Sequence, residues 1–236
     1  MDTKTRHALK HDALADTAQS GLEWLQKNKA ALVQFVVIVV VVMALGLGGA
    51  WYYQHEQQQA QADFGAAMEI YLTPLTQAAT LAQPGMKSYP NAKARAQAAN
   101  AAFLQAADHH RWTDAGRNAA YFAGITYMEM GQVAEAETTL QRVAHGSDRD
   151  LAALAQMALA SLAQEAGRSQ DAVHLYQRLI AHPTSTVPAS QAKLALASLY
   201  EQTNPQQAKS LYAEIKDVDK DTAAGQIATQ KLTQLP

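Results

Sequence analysis

The chain has 236 residues, with 19 Lys and Arg against 21 Asp and Glu for a formal charge of −2, and it has no cysteine. Near-neutral charge argues against nucleic acid, whose binding needs a basic face. The missing cysteine excludes disulfides, thiol nucleophiles and Cys-type zinc sites, so any exported domain must rest on its apolar core.

Residues 1–29 form a polar tail with leucines near helical spacing, and Ser20 with Glu23 has the form of a capping box. The tail predicts a helix from about Gly21 running into the apolar segment. Residues 30–53 read as a transmembrane anchor. From Ala30 to Ala50 there is one polar side chain, Gln34, and no charge. Its 21 residues make roughly 31 Å of helix, enough to cross a bilayer core. A cleavable signal peptide has an apolar run of about 7–15 residues and a shorter leader, so the lengths favour an uncleaved span. Lys4, Arg6, Lys10, Lys27 and Lys29 precede the span, and no Lys or Arg follows until Lys87. That asymmetry predicts a cytoplasmic N-terminus and an exported remainder. Lys27 and Lys29 mark the inner interface, and Trp51, Tyr52 and Tyr53 suit the far one, where amphipathic rings sit among headgroups.

Residues 54–112 predict a helical stalk and diverged N-terminal helices. Phe64, Met68, Tyr71 and Leu72 make an amphipathic stripe, and the helix should end near Leu72 because Pro74 disfavours helical geometry at Thr73. A second helix can start at Pro74 with Thr73 as cap, and Pro84-Gly85 and Pro90 bound a loop. From Asn91 the pattern is helical again, with Ala94, Ala98, Ala101, Phe103, Leu104 and Ala107 on the expected apolar face.

Residues 113–219 repeat themselves. Ala136, Ala172 and Ala208 recur every 36 positions, followed four residues later by Leu140, Tyr176 and Tyr212. Gly131 and Gly167 stand where each chain reversal is needed, and Gly124 and Ala160 mark a close approach on the earlier helix. These units resemble tetratricopeptide repeats, a 34-residue helix–turn–helix family. The family's signature places fall on Gly124, Tyr127, Gly131, Ala136 and Leu140. In the second unit they fall on Leu159, Ala160, Gly167, Ala172 and Tyr176. The third is degenerate, with Asn204-Pro205 replacing the turn glycine before Ala208 and Tyr212. The longer period is expected in the loops at Ser147–Arg149 and Thr184–Thr186. Residues 220–236 predict a C-terminal capping helix with Ala224, Ile227, Ala228 and Leu232 on one side. The fold class is therefore all-α: one N-terminal transmembrane helix, then a solenoid of antiparallel helix pairs.

No phosphate loop, nucleophile turn or zinc-protease motif is present, so no catalytic residue, cofactor or metal is expected. His7 and His11, and the tandem His109-His110, read as solvated. Asp63 and Glu69, Glu135 and Glu137, and Asp148 and Asp150 pair only along the chain, and surface solvation accounts for them.

The layout also resembles the ancillary SecYEG translocon subunit family, through Trp24-Leu25-x-Lys27-Asn28-x-Ala30-x-Leu32, then Gly49-x-Trp51 and Gln54, ahead of an exported repeat domain. That resemblance implies a single-pass protein of a bacterial inner membrane whose periplasmic repeats associate with the Sec translocon and a periplasmic chaperone. In repeats of this kind the first helix of each pair lines the groove. The matching residues are Asn118, Tyr121, Ile125 and Met128 in the first unit, Met157, Ser161 and Gln164 in the second, and Lys193 and Tyr200 in the third. Aromatic, Met and amide side chains suit adaptable protein binding. The expected partners are machinery proteins, chaperones or exported chains, besides the bilayer itself. A self-assembling envelope protein, its stalk and anchor pairing with copies of themselves, and a regulator of cell-wall or division machinery are the competing readings.

Overall fold

A computed structural model describes residues 29–76 and 88–235. The chain divides into two compact units, one ending at His55 and the other starting at Glu56. Helix α1 (Lys29–Leu72, 44 residues) crosses that boundary. In the first unit its apolar part, of mean hydropathy 2.5, has no residue buried against protein. Valine-rich sequence is a modest helix former in water, but hydrocarbon forces every backbone hydrogen bond to close within the segment. The helix is long and apolar enough to cross a membrane. Trp51, Tyr52 and Tyr53 are exposed where the apolar run closes, and the Trp51 ring stacks on His55 at 5.8 Å. Lys29 is its exposed first residue. Lys27, like the expected tail helix, lies outside the described residues.

In the second unit, the stretch Glu56–Leu72 is packed rather than free-standing. Ala60 and Ala67, two turns apart, are fully buried. Phe64 and Tyr71 join Phe103 and Phe122 in a four-ring cluster, with centroids 5.4 to 6.1 Å apart. The helix ends at Leu72, ahead of Pro74, as its sequence predicts. A parallel bridge, Leu75 to Tyr89, ties the chain on either side of residues 77–87. The expected helix from Pro74 and the Pro84-Gly85 loop fall largely on those residues, outside the described ones.

Helix α2 (Ala92–His109) is capped by Asn91, whose Oδ1 accepts from the Ala94 amide at 2.8 Å. Its core face is Ala96, Ala99, Asn100, Phe103 and Ala106, with Leu104 and Ala107 packed beside it, which corrects the expected stripe at Ala94, Ala98 and Ala101. Ala94 and Ala98 are only half-buried, and Ala101 is exposed. The difference comes from one polar residue inside the stripe. Asn100 is buried because its amide donates to the Ala123 carbonyl and to Thr126 Oγ1, both at 2.9 Å. A satisfied amide can occupy a core position that an apolar-only pattern leaves blank.

Seven helices follow: α3 (Asp114–Glu129), α4 (Val133–Ala144), α5 (Arg149–Glu165), α6 (Ser169–Ala181), α7 (Ala189–Thr203), α8 (Pro205–Val218) and α9 (Ala223–Gln234). Each packs on the next, and α3 also meets α5, as α7 meets α9. Two reversals use the same device. Gly131 and Gly167 both have φ +74°, where a side chain is strained. The Gln132 amide reaches back to the Tyr127 carbonyl and the Gly131 amide to Met128, both at 2.9 Å; Arg168 to Ala163 and Gly167 to Gln164 repeat this Schellman geometry. The third reversal replaces it with Asn204, which ends α7 and caps α8 ahead of Pro205. Ala136, Ala172 and Ala208 are fully buried, as are Leu140, Tyr176 and Tyr212 to within a few per cent. The 36-residue period therefore survives as three-dimensional equivalence.

Thr222 caps α9, whose Ala228 and Gly225 are buried with Ala224 and Leu232 beside them. Ile227 is 46% exposed, correcting its expected place on the packed side. The inward positions step from 224 and 225 to 228 and 232, so position 227 falls off the stripe.

A candidate protein-interaction face

The residues expected to line a groove occupy one register on three successive helices. Tyr121, Met157 and Lys193 stand 36 apart on α3, α5 and α7, and so do Met128, Gln164 and Tyr200. All nine expected residues are half-buried. Tyr121, Ile125 and Met128 lean on a core of Leu140, Val143, Leu151, Ala155 and Ala158. Burial raises the Tyr121 phenol pKa above its ordinary value. Met157 packs with Tyr176 and Leu196 and also with Leu179 and Val187. Tyr200 bridges that core to the next one, around Tyr212 and Ile215.

In the second and third units the polar members of the face are held by the second helix of the pair. The Tyr176 hydroxyl donates to Gln164 Oε1 at 3.3 Å and also interacts with Ser161. Lys193 is ion-paired to Glu214 on α8. Asn118 is half-buried on α3. Tyr121, Ile125, Met128, Met157 and Tyr200 thus each have one edge packed between helices and another reaching the surface.

Several polar ties escaped sequence reasoning because their partners are 31 to 54 residues away. Asp150 and the 184–186 loop are one case: Oδ1 accepts from Ser185 Oγ at 2.9 Å and the Ser185 amide at 3.0 Å, while Thr186 Oγ1 donates to the Asp150 carbonyl. The Ser185 hydroxyl and neighbouring amides hold the Asp150 carboxyl below its usual pKa despite some desolvation. Asp148 caps α5 through the Asp150 and Leu151 amides. Arg168 makes a bidentate pair with Glu137, at 3.1 and 3.0 Å, linking the turn of the second unit to the first. That pair borders a cleft of about 350 Å3 between α4, α5 and α6, with Asp171 and Arg178 also on its wall. Asp63, Glu137, Asp148 and Asp150 are therefore structural partners, correcting the solvated reading.

His110 corrects the solvated reading of the histidines. It is buried at the end of α2, with Nδ1 2.6 Å from Glu56 Oε1 and Nε2 2.9 Å from Asp63 Oδ2. Burial alone lowers an imidazolium pKa, but the two carboxylates outweigh it and hold His110 above the ordinary histidine value. Among the described residues, no group of three or more His, Cys, Asp or Glu is placed to hold a metal.

The tetratricopeptide repeat family matches residues 121–186 and, in a second placement, residues 157–217. The repeat domain is tetratricopeptide-like. The two placements start 36 residues apart, the same interval as Tyr121 to Met157, and together they include the unit whose turn glycine is replaced. Neither the curated proteins nor the solved structures gave a match. A tetratricopeptide-like domain is a non-catalytic scaffold, and this chain carries no cysteine nucleophile.

Proposed function

We propose that the protein is a membrane-anchored scaffold whose tetratricopeptide-like repeats hold a protein partner at the extracytoplasmic face of a bacterial inner membrane. Helix α1 is the anchor. The exported side follows from basic residues retained ahead of the span. The observation that carries the reading is the recurrence of one half-buried face on α3, α5 and α7, built from Tyr121, Met128, Met157, Gln164 and Tyr200. Aromatic and thioether groups offer large contact area with little entropy loss, and the amides supply adaptable hydrogen bonds. The partner class follows the resemblance to the ancillary translocon subunits: Sec machinery, a periplasmic chaperone, or an exported chain. Self-assembly through the stalk gains little support, because the stripe of Glu56–Leu72 is already occupied by α2 and α3, leaving Leu72 exposed.

The test is isolation in mild detergent of the wild type and of Met128→Lys with Gln164→Lys, two half-buried sites where a lysine head can reach water. A specific protein retained by the wild type and lost from the double variant, with unchanged helicity, is the expected result. A stable homo-oligomer with no other protein, or a partner indifferent to both substitutions, contradicts it.

A further inference from the structure

Trp112, in the turn between α2 and α3, is 81% exposed, the highest value among the described large apolar side chains. A single exposed ring is ordinary by itself. Its position is not. Helix α2 runs antiparallel to the α1 segment it packs on, and three contacts fix the register. At one end Arg95 lies over the Tyr71 ring at 5.6 Å and donates to the Thr73 carbonyl at 3.5 Å. Midway, Phe103 meets Phe64. At the other end His110 reaches Asp63 and Glu56. The turn that carries Trp112 is therefore at the Glu56 end of the domain.

Glu56 is three residues beyond Tyr53, the last of the rings closing the apolar segment. Whatever the backbone does between them, three residues span at most about 11 Å. The turn is also stiff. The Thr113 amide and hydroxyl both donate to the His110 carbonyl, at 2.9 and 2.8 Å, and Thr113 Oγ1 accepts from the Gly116 amide at 3.0 Å. A Cβ at position 116 would overlap the His110 carbonyl, so only glycine closes this corner. An exposed indole on a braced turn is held out, not left loose.

We propose that Trp112 is a second membrane contact, resting in the headgroup layer of the leaflet from which α1 emerges. The inference rests on the reading of α1 as an anchor. An indole pairs an apolar body with one N–H donor, and such groups concentrate at membrane interfaces. Charge contributes little here. Arg111 and Arg117 are matched in number by Asp108 and Asp114, and Arg117 is already paired with Asp114. The contact is aromatic and survives salt.

The full chain has three tryptophans, at 24, 51 and 112, so two variants isolate the relevant ones. Trp24→Phe with Trp51→Phe leaves Trp112; Trp24→Phe with Trp112→Phe leaves Trp51. Each is reconstituted into phosphatidylcholine vesicles with and without brominated phosphatidylcholine, and quenching is read from the emission. The inference predicts that Trp112 loses roughly half its emission, in low salt and high salt alike, as Trp51 does. Quenching of Trp51 alone overturns the inference and leaves the anchor standing. Quenching of neither overturns both. A Trp112 emission that shifts to the blue only when a co-isolated protein is added assigns the turn to a protein partner and overturns the lipid contact.

Discussion

Replacing Gly124 by alanine tests how the repeat pairs pack, and its effect should change sign with the residue opposite. A methyl group at position 124 would lie 2.7 Å from both Cδ2 and Cγ of Leu140. Leu140 is fully buried, and a close-packed interior leaves its side chain little room to move aside. Overpacking of this kind costs about 1–3 kcal/mol. Alanine in place of a helical glycine contributes about 1 kcal/mol the other way. Gly124→Ala should therefore destabilise the wild type by about 0–2 kcal/mol. Leu140→Ala alone should cost about 2–5 kcal/mol through its cavity. In that background the clash is gone, and Gly124→Ala should stabilise by about 1 kcal/mol. Urea unfolding of the four proteins in mild detergent, followed by circular dichroism, gives the coupling directly. Equal effects of Gly124→Ala in both backgrounds would show that α3 and α4 do not meet at this point, and the pairing of the first repeat would be wrong.

His110 predicts a pH dependence. Its folded pKa is raised, so its stabilisation is complete below about pH 6.5 and is lost as pH rises through the folded value. The stability gap between wild type and His110→Gln should be widest near pH 6 and narrow on the alkaline side; a gap that widens with pH refutes the double carboxylate clamp. Asp150→Ala should free the loop at residues 184–186 and speed limited proteolysis there, leaving the other turns unchanged; cleavage at the wild-type rate would deny the carboxylate its role. Burial and the Glu129 carboxylate, 2.5 Å from its hydroxyl, push Tyr71 up to about 12. Ultraviolet titration of wild type minus Tyr71→Phe should isolate a phenolate appearing near that pH, and a midpoint near 10 would contradict the contact.

Much of this architecture is legible in the residues because backbone necessity leaves marks. A left-handed turn needs glycine, so Gly131 and Gly167 announce the first two reversals, and Asn204-Pro205 announces the third through cap chemistry. Close helix contacts need small residues, so Ala136, Ala172 and Ala208 give the period. What stays hidden depends on partners far along the chain. Asn100 breaks the apolar stripe of α2 because its partners Ala123 and Thr126 lie more than twenty residues on. His110 looks solvated until Glu56 and Asp63 are brought beside it. Ile227 fits an apolar pattern yet faces out, since a short end helix buries only a narrow stripe. The candidate face is intermediate: its register could be read from the repeat, but the half-buried state of Tyr121, Met157 and Tyr200 required the neighbouring helices.

Photo-cross-linking in intact cells tests the central claim most directly. Photoreactive side chains at positions 121, 157 and 200 on the α3/α5/α7 face would be compared with the same groups replacing Thr138, His174 and Ser210, three exposed residues 36 apart on α4, α6 and α8. The account predicts one common protein adduct from the first set and none from the second. Adducts confined to the second set, or shared equally by both, would contradict it.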